Sequence, residues 1–198
     1  MGFSGVFSQN LLVRWLTGRG GTHDLAVTMS GIRLGERLLQ VGLGDGRLLA
    51  ALAGKIGLSG RSCGVDPEAS AVTRAAARAE RGGVLVEVQH APPSLLPFAD
   101  GEFDVVVVDL AGAPAALGTE PGPAFREAWR VLRPGGRCVA LMKRVRGGAI
   151  GAVGQRTGRA VTAPADLVRE MRASGFRAAR LLAERDGLAF VEGVRPAQ

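Results

Sequence analysis

The residues best suited to chemistry lie in one short stretch, residues 38–53, LLQVGLGDGRLLAALA. An apolar run leads into three glycines at alternate positions, Gly42, Gly44 and Gly46, and then into a helical pattern of leucines and alanines. A strand that ends in glycines and turns directly into a helix brings backbone N–H groups and the positive end of a helix dipole close to a ligand. A Cβ atom at such positions would hold the ligand away or forbid the turn. The stretch therefore predicts a nucleotide-binding type of loop.

The spacing of these glycines differs from the dinucleotide-binding pattern G-x-G-x-x-G. Aligned on Gly42 and Gly44, the third glycine of that pattern falls at position 47, which is Arg47. Twenty residues after Gly46 comes Asp66, directly after the second predicted strand, where a carboxylate accepts hydrogen bonds from ribose hydroxyls. Asp66 is also placed to be the N-cap of the following helix, with Pro67 at its first position. The two roles of Asp66 are compatible.

Alternating strand and helix patterns position these residues. Strands are predicted at 37–41, 61–65, 84–88, 103–110 and 137–142, and helices at about 45–56, from Asp66 to Gly82, at 123–132 and from Pro164 to Gly175. Two further strands flank Asp186-Gly187, a strong two-residue hairpin signal. The alternation predicts an α/β fold with a mostly parallel sheet covered on both faces, and ligands bind such sheets beyond the carboxyl ends of the strands.

Four stretches in this order carry a resemblance to a known family: LGERLLQVGLGDG, GVDPEASAVTRAAARA, LPFADGEFDVVVVD and FREAWRVLRPGGRCVAL. Together they resemble the class I S-adenosylmethionine-dependent methyltransferases, and most of all the subgroup of ubiquinone and menaquinone C-methyltransferases. The resemblance implies a single Rossmann-like domain over residues 35–198, with seven strands and the last strand antiparallel between strands 5 and 6. Residues 1–34 would be an N-terminal helical lid segment of the same domain. The implied cofactor is S-adenosylmethionine, with S-adenosylhomocysteine as product.

The resemblance also implies which residues hold the cofactor. Gly42 and Gly44 would approach its methionine part, Asp66 would hold the ribose, and Asp109, at the end of strand 4, would face the sulfonium and the substrate. His90 and Ala91, after strand 3, would lie near the adenine. The full set expected to contact the cofactor is Gln40, Gly42, Leu43, Gly44, Asp45, Gly46, Asp66, Pro67, His90, Ala91 and Asp109.

Gln40 departs from the family pattern. The family usually has Asp or Glu at this position, and that carboxylate faces the ammonium group of the cofactor, directly or through water. A hydrogen bond to a charged group contributes roughly 1.5–3 kcal/mol, against about 1 kcal/mol for a neutral one. We therefore expect cofactor affinity to be about tenfold lower unless Asp45 or Asp109 compensates. A methyltransferase-fold protein that binds a partner or metabolite without catalysis stays an alternative.

Methyl transfer from a sulfonium is an in-line displacement with a neutral leaving group. The enzyme must hold the nucleophile and the methyl group in line and exclude water, and a base is needed only if the nucleophile loses a proton. The chain has two histidines, two lysines and no tyrosine, which leaves His23 and Asp109 as the candidate catalytic residues. The sequence DLAG after strand 4 lacks the Asn/Asp-Pro-Pro-aromatic turn of enzymes that methylate exocyclic base amines. We therefore expect a small-molecule substrate, methylated at O, N or C.

The net charge of +7 and the pI near 11 allow a nucleic-acid partner. Residues 143–159, which are rich in glycine and basic side chains, are either a solvated loop or an RNA-binding segment. However, all but two of the 25 basic residues are arginine, in a chain rich in Ala and Gly, a skew typical of GC-rich coding. An RNA-associated methyltransferase therefore stays possible but is not favoured.

The remaining features are those of a cytoplasmic protein. Cys63 and Cys138 lie 75 residues apart in predicted strands, which is neither a metal-ligand nor a disulfide spacing, so we expect buried cysteines and no metal. No apolar run approaches the roughly 18–20 residues that span a bilayer. Residues 6–16 predict an amphipathic helix, packed either on the domain or as a lid over the pocket. The sequence does not indicate the oligomeric state.

Overall fold

The computed structural model describes residues 22–113, 121–144 and 163–197. The helix expected at 6–16 lies outside these residues, as does most of the basic segment 143–159, of which Lys143 and Arg144 are described. The strands are β1 Arg37–Val41, β2 Arg61–Asp66, β3 Glu87–His90, β4 Phe103–Asp109, β5 Leu132–Lys143, β6 Arg177–Arg185 and β7 Leu188–Val194. The helices are α1 Thr22–Met29, α2 Arg47–Ile56, α3 Ala69–Gly82, α4 Pro121–Val131 and α5 Pro164–Ala173.

The seven strands form one sheet in the order β3-β2-β1-β4-β5-β7-β6. The first five strands are parallel, and β7 runs antiparallel to both β5 and β6. Asp186 and Gly187 turn the chain between β6 and β7 with φ values of 52° and 76°, as a type I′ turn requires. The structure confirms the predicted seven-stranded α/β fold with its C-terminal antiparallel hairpin.

Helices cover both faces of the sheet because its central strand is apolar on both sides. Val105 and Val107 of β4 belong to a buried cluster with α1, α2 and α3. Val106 and Val108 point the other way, into a cluster with α4 and α5. An uninterrupted apolar run such as FDVVVVD is what a strand buried on both faces needs. The carboxyl ends of the parallel strands β1, β2 and β4 therefore lie together at one edge of the sheet.

The structure corrects the predicted boundary of the third strand. β3 begins at Glu87 rather than Val84, because the backbone N–H of Val84 donates to the carbonyl of Ala79 and completes the last turn of α3. β3 ends at His90, which pairs with Asp66 in the adjacent strand β2. His90 is thus the last residue of β3 and not a loop residue.

The prediction that Asp66 caps the next helix is wrong. Asp66 is the last residue of β2, and α3 begins at Ala69 with Glu68 as its N-cap. Pro67 accordingly lies before the helix and not at its first position. The carboxylate of Asp66 is instead bonded to backbone N–H groups at the strand end, one of them in the glycine loop.

Arg137 of β5 fixes the position of α1. Its Nε atom donates to the carbonyl of Ser30 at 3.2 Å and its Nη2 atom to that of Gly31 at 2.8 Å. The same guanidinium forms two 2.9 Å hydrogen bonds with the carboxylate of Glu36. Burial raises the pKa of Glu36, but the hydrogen bonds from Arg137 and from the backbone of Arg33 outweigh it and lower that pKa overall. The segment that leads from α1 to β1 is therefore tied to the centre of the sheet.

Candidate functional site

The glycine loop, residues 42–46, joins β1 to α2 and packs closely on both sides. A Cβ atom at Gly44 would lie 2.9 Å from the carbonyl oxygen of Gly112, and one at Gly46 would lie 2.6 Å from Cα of Ala75. Both glycines also have left-handed φ angles, 54° and 78°, which residues other than glycine rarely adopt. Gly46 is the N-cap of α2 and has no side-chain cap. Backbone is therefore exposed at the glycines of the loop, and the carboxylate of Asp45 accepts the first N–H of α2, that of Arg47, at 3.0 Å.

Asp66 ties the end of β2 to this loop. It is 4% exposed, its Oδ2 atom accepts the backbone N–H of Leu43 at 2.7 Å, and its Oδ1 atom accepts that of Glu68 at 2.8 Å. An ionised carboxylate has about four acceptor positions, so two positions stay available for donors of a ligand. The structure thus brings the second predicted binding element into direct contact with the first.

His90 and Ala91 stand next to Asp66. The Nε2 atom of His90 lies 2.9 Å from the carbonyl oxygen of Pro67, and the backbone N–H of Ala91 donates to the carbonyl of Asp66 at 3.2 Å. His90 is exposed and Ala91 is buried. Four of the predicted cofactor residues therefore form one cluster, at the carboxyl ends of β2 and β3.

Gln40 is fully buried and holds an unused acceptor. Its Nε2 atom donates to the carbonyl of Gly42 at 2.7 Å, while its Oε1 atom is buried with no hydrogen-bond partner in the described part of the chain. A buried acceptor without a partner costs about 1–3 kcal/mol. Gln40 lies two residues before the loop, and this oxygen can accept a hydrogen bond from a donor of a bound molecule.

Asp109 ends β4 and shapes the segment that follows it. Its Oδ1 atom accepts the backbone N–H groups of Ala111 at 2.9 Å and Gly112 at 2.8 Å. The carboxyl group is 6% exposed, and burial raises its pKa, although these two hydrogen bonds and the nearby charge of His23 act to lower it. No described residue donates to Oδ2, which leaves that oxygen for a ligand.

A cavity of about 340 Å³ lies beside Asp109. Its apolar walls come from α1, the glycine loop, α2, β5 and β7: Ala26, Leu43, Leu48, Leu141 and Leu188. Its charged and titratable lining consists of His23, Asp45, Asp109 and Lys143. The cavity therefore unites both predicted catalytic residues, His23 and Asp109, with two predicted cofactor residues, Leu43 and Asp45. Asp66, Pro67, His90 and Ala91 lie outside its lining and form the second half of the site.

Sequence reasoning missed the part of the cavity that β5 and β7 supply. Leu141, Lys143 and Leu188 were not among the predicted site residues, although Lys143 is one of two lysines in the chain. Lys143 pairs with Leu188 in the antiparallel register, and only that register brings the start of β7 to the site. The alternation of Leu141, Met142 and Lys143 along a strand that ends at the binding edge was the available signal.

Other kinds of chemistry find little support among the described residues. No group of three His, Cys, Asp or Glu side chains there is arranged to hold a metal ion. Both cysteines are buried and free, as predicted, and burial raises the pKa of Cys63 to about 12, so neither is a ready nucleophile. Within the same ranges, no helix combines the length and apolar character needed to cross a bilayer.

Comparisons with known proteins agree with this geometry. A family model described as a methyltransferase domain matches residues 39–140. The ubiquinone/menaquinone biosynthesis C-methyltransferase of Chromobacterium violaceum is 33% identical over 130 residues, which are 62% of this chain and 50% of that protein. The chain thus spans about half the length of the curated relatives of this kind that it matches.

Solved structures resemble the whole described fold. A S-adenosylmethionine-dependent methyltransferase from Aquifex aeolicus superimposes with a TM-score of 0.72 at 19% identity, covering 87% of this chain and 89% of that one. The [4+2]-cyclase SpnF superimposes with a TM-score of 0.69 at 22% identity, covering 89% of this chain and 80% of that one. At these identities the likeness concerns the fold alone.

Proposed function

Because the chain belongs to the methyltransferase domain family, we propose that it binds S-adenosylmethionine and transfers the methyl group to a small molecule. Family membership confirms the class I methyltransferase resemblance read from the sequence and the cofactor that it implies, S-adenosylmethionine. The observation that carries the proposal is the convergence of the glycine loop, Asp66 and Asp109 at one sheet edge, beside a 340 Å³ cavity.

The residues present fit this cofactor. Asp66 has acceptor positions for the ribose hydroxyls, and His90 and Ala91 next to it would border the adenine. The bare backbone at Gly42 and Gly44 would admit the methionine part. The buried Oε1 atom of Gln40, which has no partner among the described residues, would accept a hydrogen bond from the ammonium group, although without the charge of the family's usual acid.

The bound cofactor supplies a methyl group on a sulfonium, which any well-placed nucleophile can attack. The chain would position the reactants and exclude water. Leu43, Leu141 and Leu188 line the cavity and would keep water away from the methyl acceptor. Exclusion of water strengthens the polar contacts there. His23 would take a proton from an acidic acceptor, and the carboxylate of Asp109 would stabilise the imidazolium so formed. An acceptor that is already nucleophilic needs neither residue as a base.

A binding protein without methyltransferase activity is the second candidate, and Gln40 is the observation that favours it. The structural likeness to a [4+2]-cyclase also shows that this fold does not by itself specify methyl transfer. An RNA-binding role has less support in the described residues, because Arg144 is already paired with Glu184.

Calorimetric titration separates the two candidates. We expect S-adenosylmethionine and S-adenosylhomocysteine to bind the full-length protein with micromolar affinity and the Asp66→Ala variant at least about tenfold more weakly, because a hydrogen bond to a charged group contributes roughly 1.5–3 kcal/mol. Glu80→Ala, which alters an exposed acid on α3, is the matched control and should bind normally. If neither compound binds at millimolar concentration, the proposed function is wrong.

A further inference from the structure

Lys143 lines the cavity from the end of β5, where its side chain is exposed to solvent. Side chains alternate between the two faces of a strand, and Met142 belongs to the core on the α4 and α5 side while Leu141 belongs to the core on the α1 and α2 side. Lys143 therefore lies on the same face as Leu141, and both line the cavity. Its partner in the sheet, Leu188, lines the cavity as well.

The charge of Lys143 has no partner in the described part of the chain, whereas the charges around it are matched. Arg144, the next residue, forms an ion pair with Glu184. Asp45, an acid of the cavity lining, lies 3.1 Å from Nε of Arg47 and also accepts the backbone N–H of that residue.

The second acid of the lining, Asp109, is likewise engaged, by two backbone N–H groups. The side chain of His23, which lines the cavity from α1, adds no negative charge. Lys143 is therefore the cation of the lining that forms no ion pair in the described part of the chain, while the walls beside it are mostly apolar.

The sheet register sets the distance between the backbone positions of Lys143 and Asp109. Asp109 pairs with Leu141 across β4 and β5, and Lys143 lies two residues further along β5, which is roughly 7 Å at the rise of an extended strand. A ligand that spans this distance needs an apolar body about the size of one ring. It also needs an anionic group at the Lys143 end.

We propose that the methyl acceptor is a small apolar carboxylate, aromatic or alicyclic, whose carboxylate binds Lys143 while its nucleophilic atom lies beside Asp109. This rests on the proposed function, since it places the acceptor in the cavity next to the cofactor methyl group. Lys143 is then the residue that selects acids over neutral molecules of the same shape. The ammonium of Lys143 is exposed at the end of β5, so it binds an anion as a compact point charge whose attraction is partly screened by solvent.

The test uses matched pairs of probes on the full chain saturated with S-adenosylhomocysteine. The acids are 4-hydroxybenzoate, 3,4-dihydroxybenzoate and cinnamate, and each is compared with its primary amide, which has the same shape without the charge. Binding is measured by saturation-transfer NMR and by competition between the pairs. The variants are Lys143→Met, which keeps most of the side-chain length, and Arg144→Met, the adjacent and already paired cation, as control.

In the wild-type protein we expect the acids to bind about two- to fivefold more tightly than the amides, because the ion pair with an exposed ammonium is partly screened. Lys143→Met should remove that preference and Arg144→Met should retain it. Equal binding of acids and amides, survival of the preference in Lys143→Met, or no binding in either series overturns the inference. Displacement of the acids by single-stranded RNA, with loss of the effect at high salt, would also overturn it in favour of a nucleic-acid site.

Binding of S-adenosylhomocysteine to all three proteins distinguishes this failure from that of the proposed function. If the cofactor product binds all three equally and only the acid preference is missing, the acceptor class is wrong and the methyltransferase function stands. If the cofactor product does not bind the wild-type protein, both proposals fail together.

Discussion

The backbone N–H of Leu43 donates a 2.7 Å hydrogen bond to Oδ2 of Asp66. This bond joins the middle of the glycine loop to the end of β2 across 23 residues of sequence. The carboxylate proposed to hold the ribose is therefore also the group that sets the shape of the loop around the methionine part. Cofactor binding and loop structure depend on the same side chain.

Asp66→Asn should consequently affect both stability and binding. The carboxamide has one acceptor oxygen and a donor NH₂, so it can keep only one of the bonds to Leu43 and Glu68. We expect a loss of about 1–2 kcal/mol in unfolding free energy, or roughly 2–8 °C in Tm for a domain of this size, and weaker binding of S-adenosylhomocysteine. Thermal unfolding with and without S-adenosylhomocysteine measures both; an unchanged Tm would contradict the structural role.

Gln40→Glu restores the charge that the family pattern usually has at this position. If the cofactor ammonium approaches this side chain, a carboxylate should raise the affinity for S-adenosylhomocysteine by up to about tenfold, since a charge-assisted bond is about twice as strong as a neutral one. Gln40→Met, which keeps the size and removes both polar atoms, should lower it. Calorimetry at about pH 8, where a buried carboxyl group ionises more readily, is the measurement. Weaker binding by the Glu variant would place the ammonium elsewhere.

The fold was predictable because its signals are local. The run FDVVVVD, the glycines after β1 and the Asp186-Gly187 turn each specify their element without reference to distant residues. The start of β3 was not predictable from the sequence, because Val84 and Val86 are apolar enough to belong to a strand. The pairing of β3 with β2 begins only at Glu87.

The site was predictable only where one motif supplies its residues. Gly42, Gly44 and Asp66 follow from spacing along the chain. Leu188 enters the site through the antiparallel register of β5 and β7, a contact between strands that sequence spacing does not encode. The second role of Asp66, holding Leu43, likewise depends on how two strand ends meet.

Asp104 makes stability depend on pH in the acid range. Burial raises its pKa, but hydrogen bonds from the backbone and side chain of Arg37 and from Arg133 outweigh burial and lower that pKa to about 2. A lowered pKa stabilises the folded state above the unfolded value, near 4, and this stabilisation is lost as the pH falls toward 2. We expect Asp104→Asn to be about 1–2 kcal/mol less stable than wild type at pH 6, with the difference shrinking below pH 4. Urea denaturation across this range measures it, and a difference independent of pH would contradict the assignment.

Arg195 caps the carboxyl end of α4. Its Nη1 atom donates to the carbonyls of Trp129 at 3.0 Å and Arg130 at 2.9 Å, and its guanidinium lies 4.0 Å from the centre of the Trp129 ring. These carbonyls have no intrahelical partner, and a cation there also opposes the helix dipole. Arg195→Met should cost about 2–3 kcal/mol of unfolding free energy, while the exposed Arg177→Met should cost about 0.5 kcal/mol or less. Arg195→Lys, which lacks the planar fork, should fall between them in urea denaturation.

Arg137 should position α1, and with it His23, without touching the cofactor. Arg137→Met removes the hydrogen bonds to the carbonyls of Ser30 and Gly31 and leaves the half-buried carboxylate of Glu36 without its cation. We expect amide hydrogen exchange to become faster throughout α1 while α2 stays protected, and the unfolding free energy to fall by about 3 kcal/mol. Exchange measured by mass spectrometry reports both helices in one experiment.

The double variant Glu36→Gln/Arg137→Met separates the two effects of losing Arg137. The double variant removes the unpaired charge of Glu36, so most of the lost stability should return. Hydrogen exchange in α1 should stay fast, because the bonds to Ser30 and Gly31 are still missing. Binding of S-adenosylhomocysteine should change less than twofold in either variant, whereas the acid probes of the cavity, one wall of which is α1, should bind more weakly. Unchanged protection of α1 in both variants would mean that the packing of Ala26 and Ile32 in the core is enough to hold the helix, and that Arg137 does not position His23.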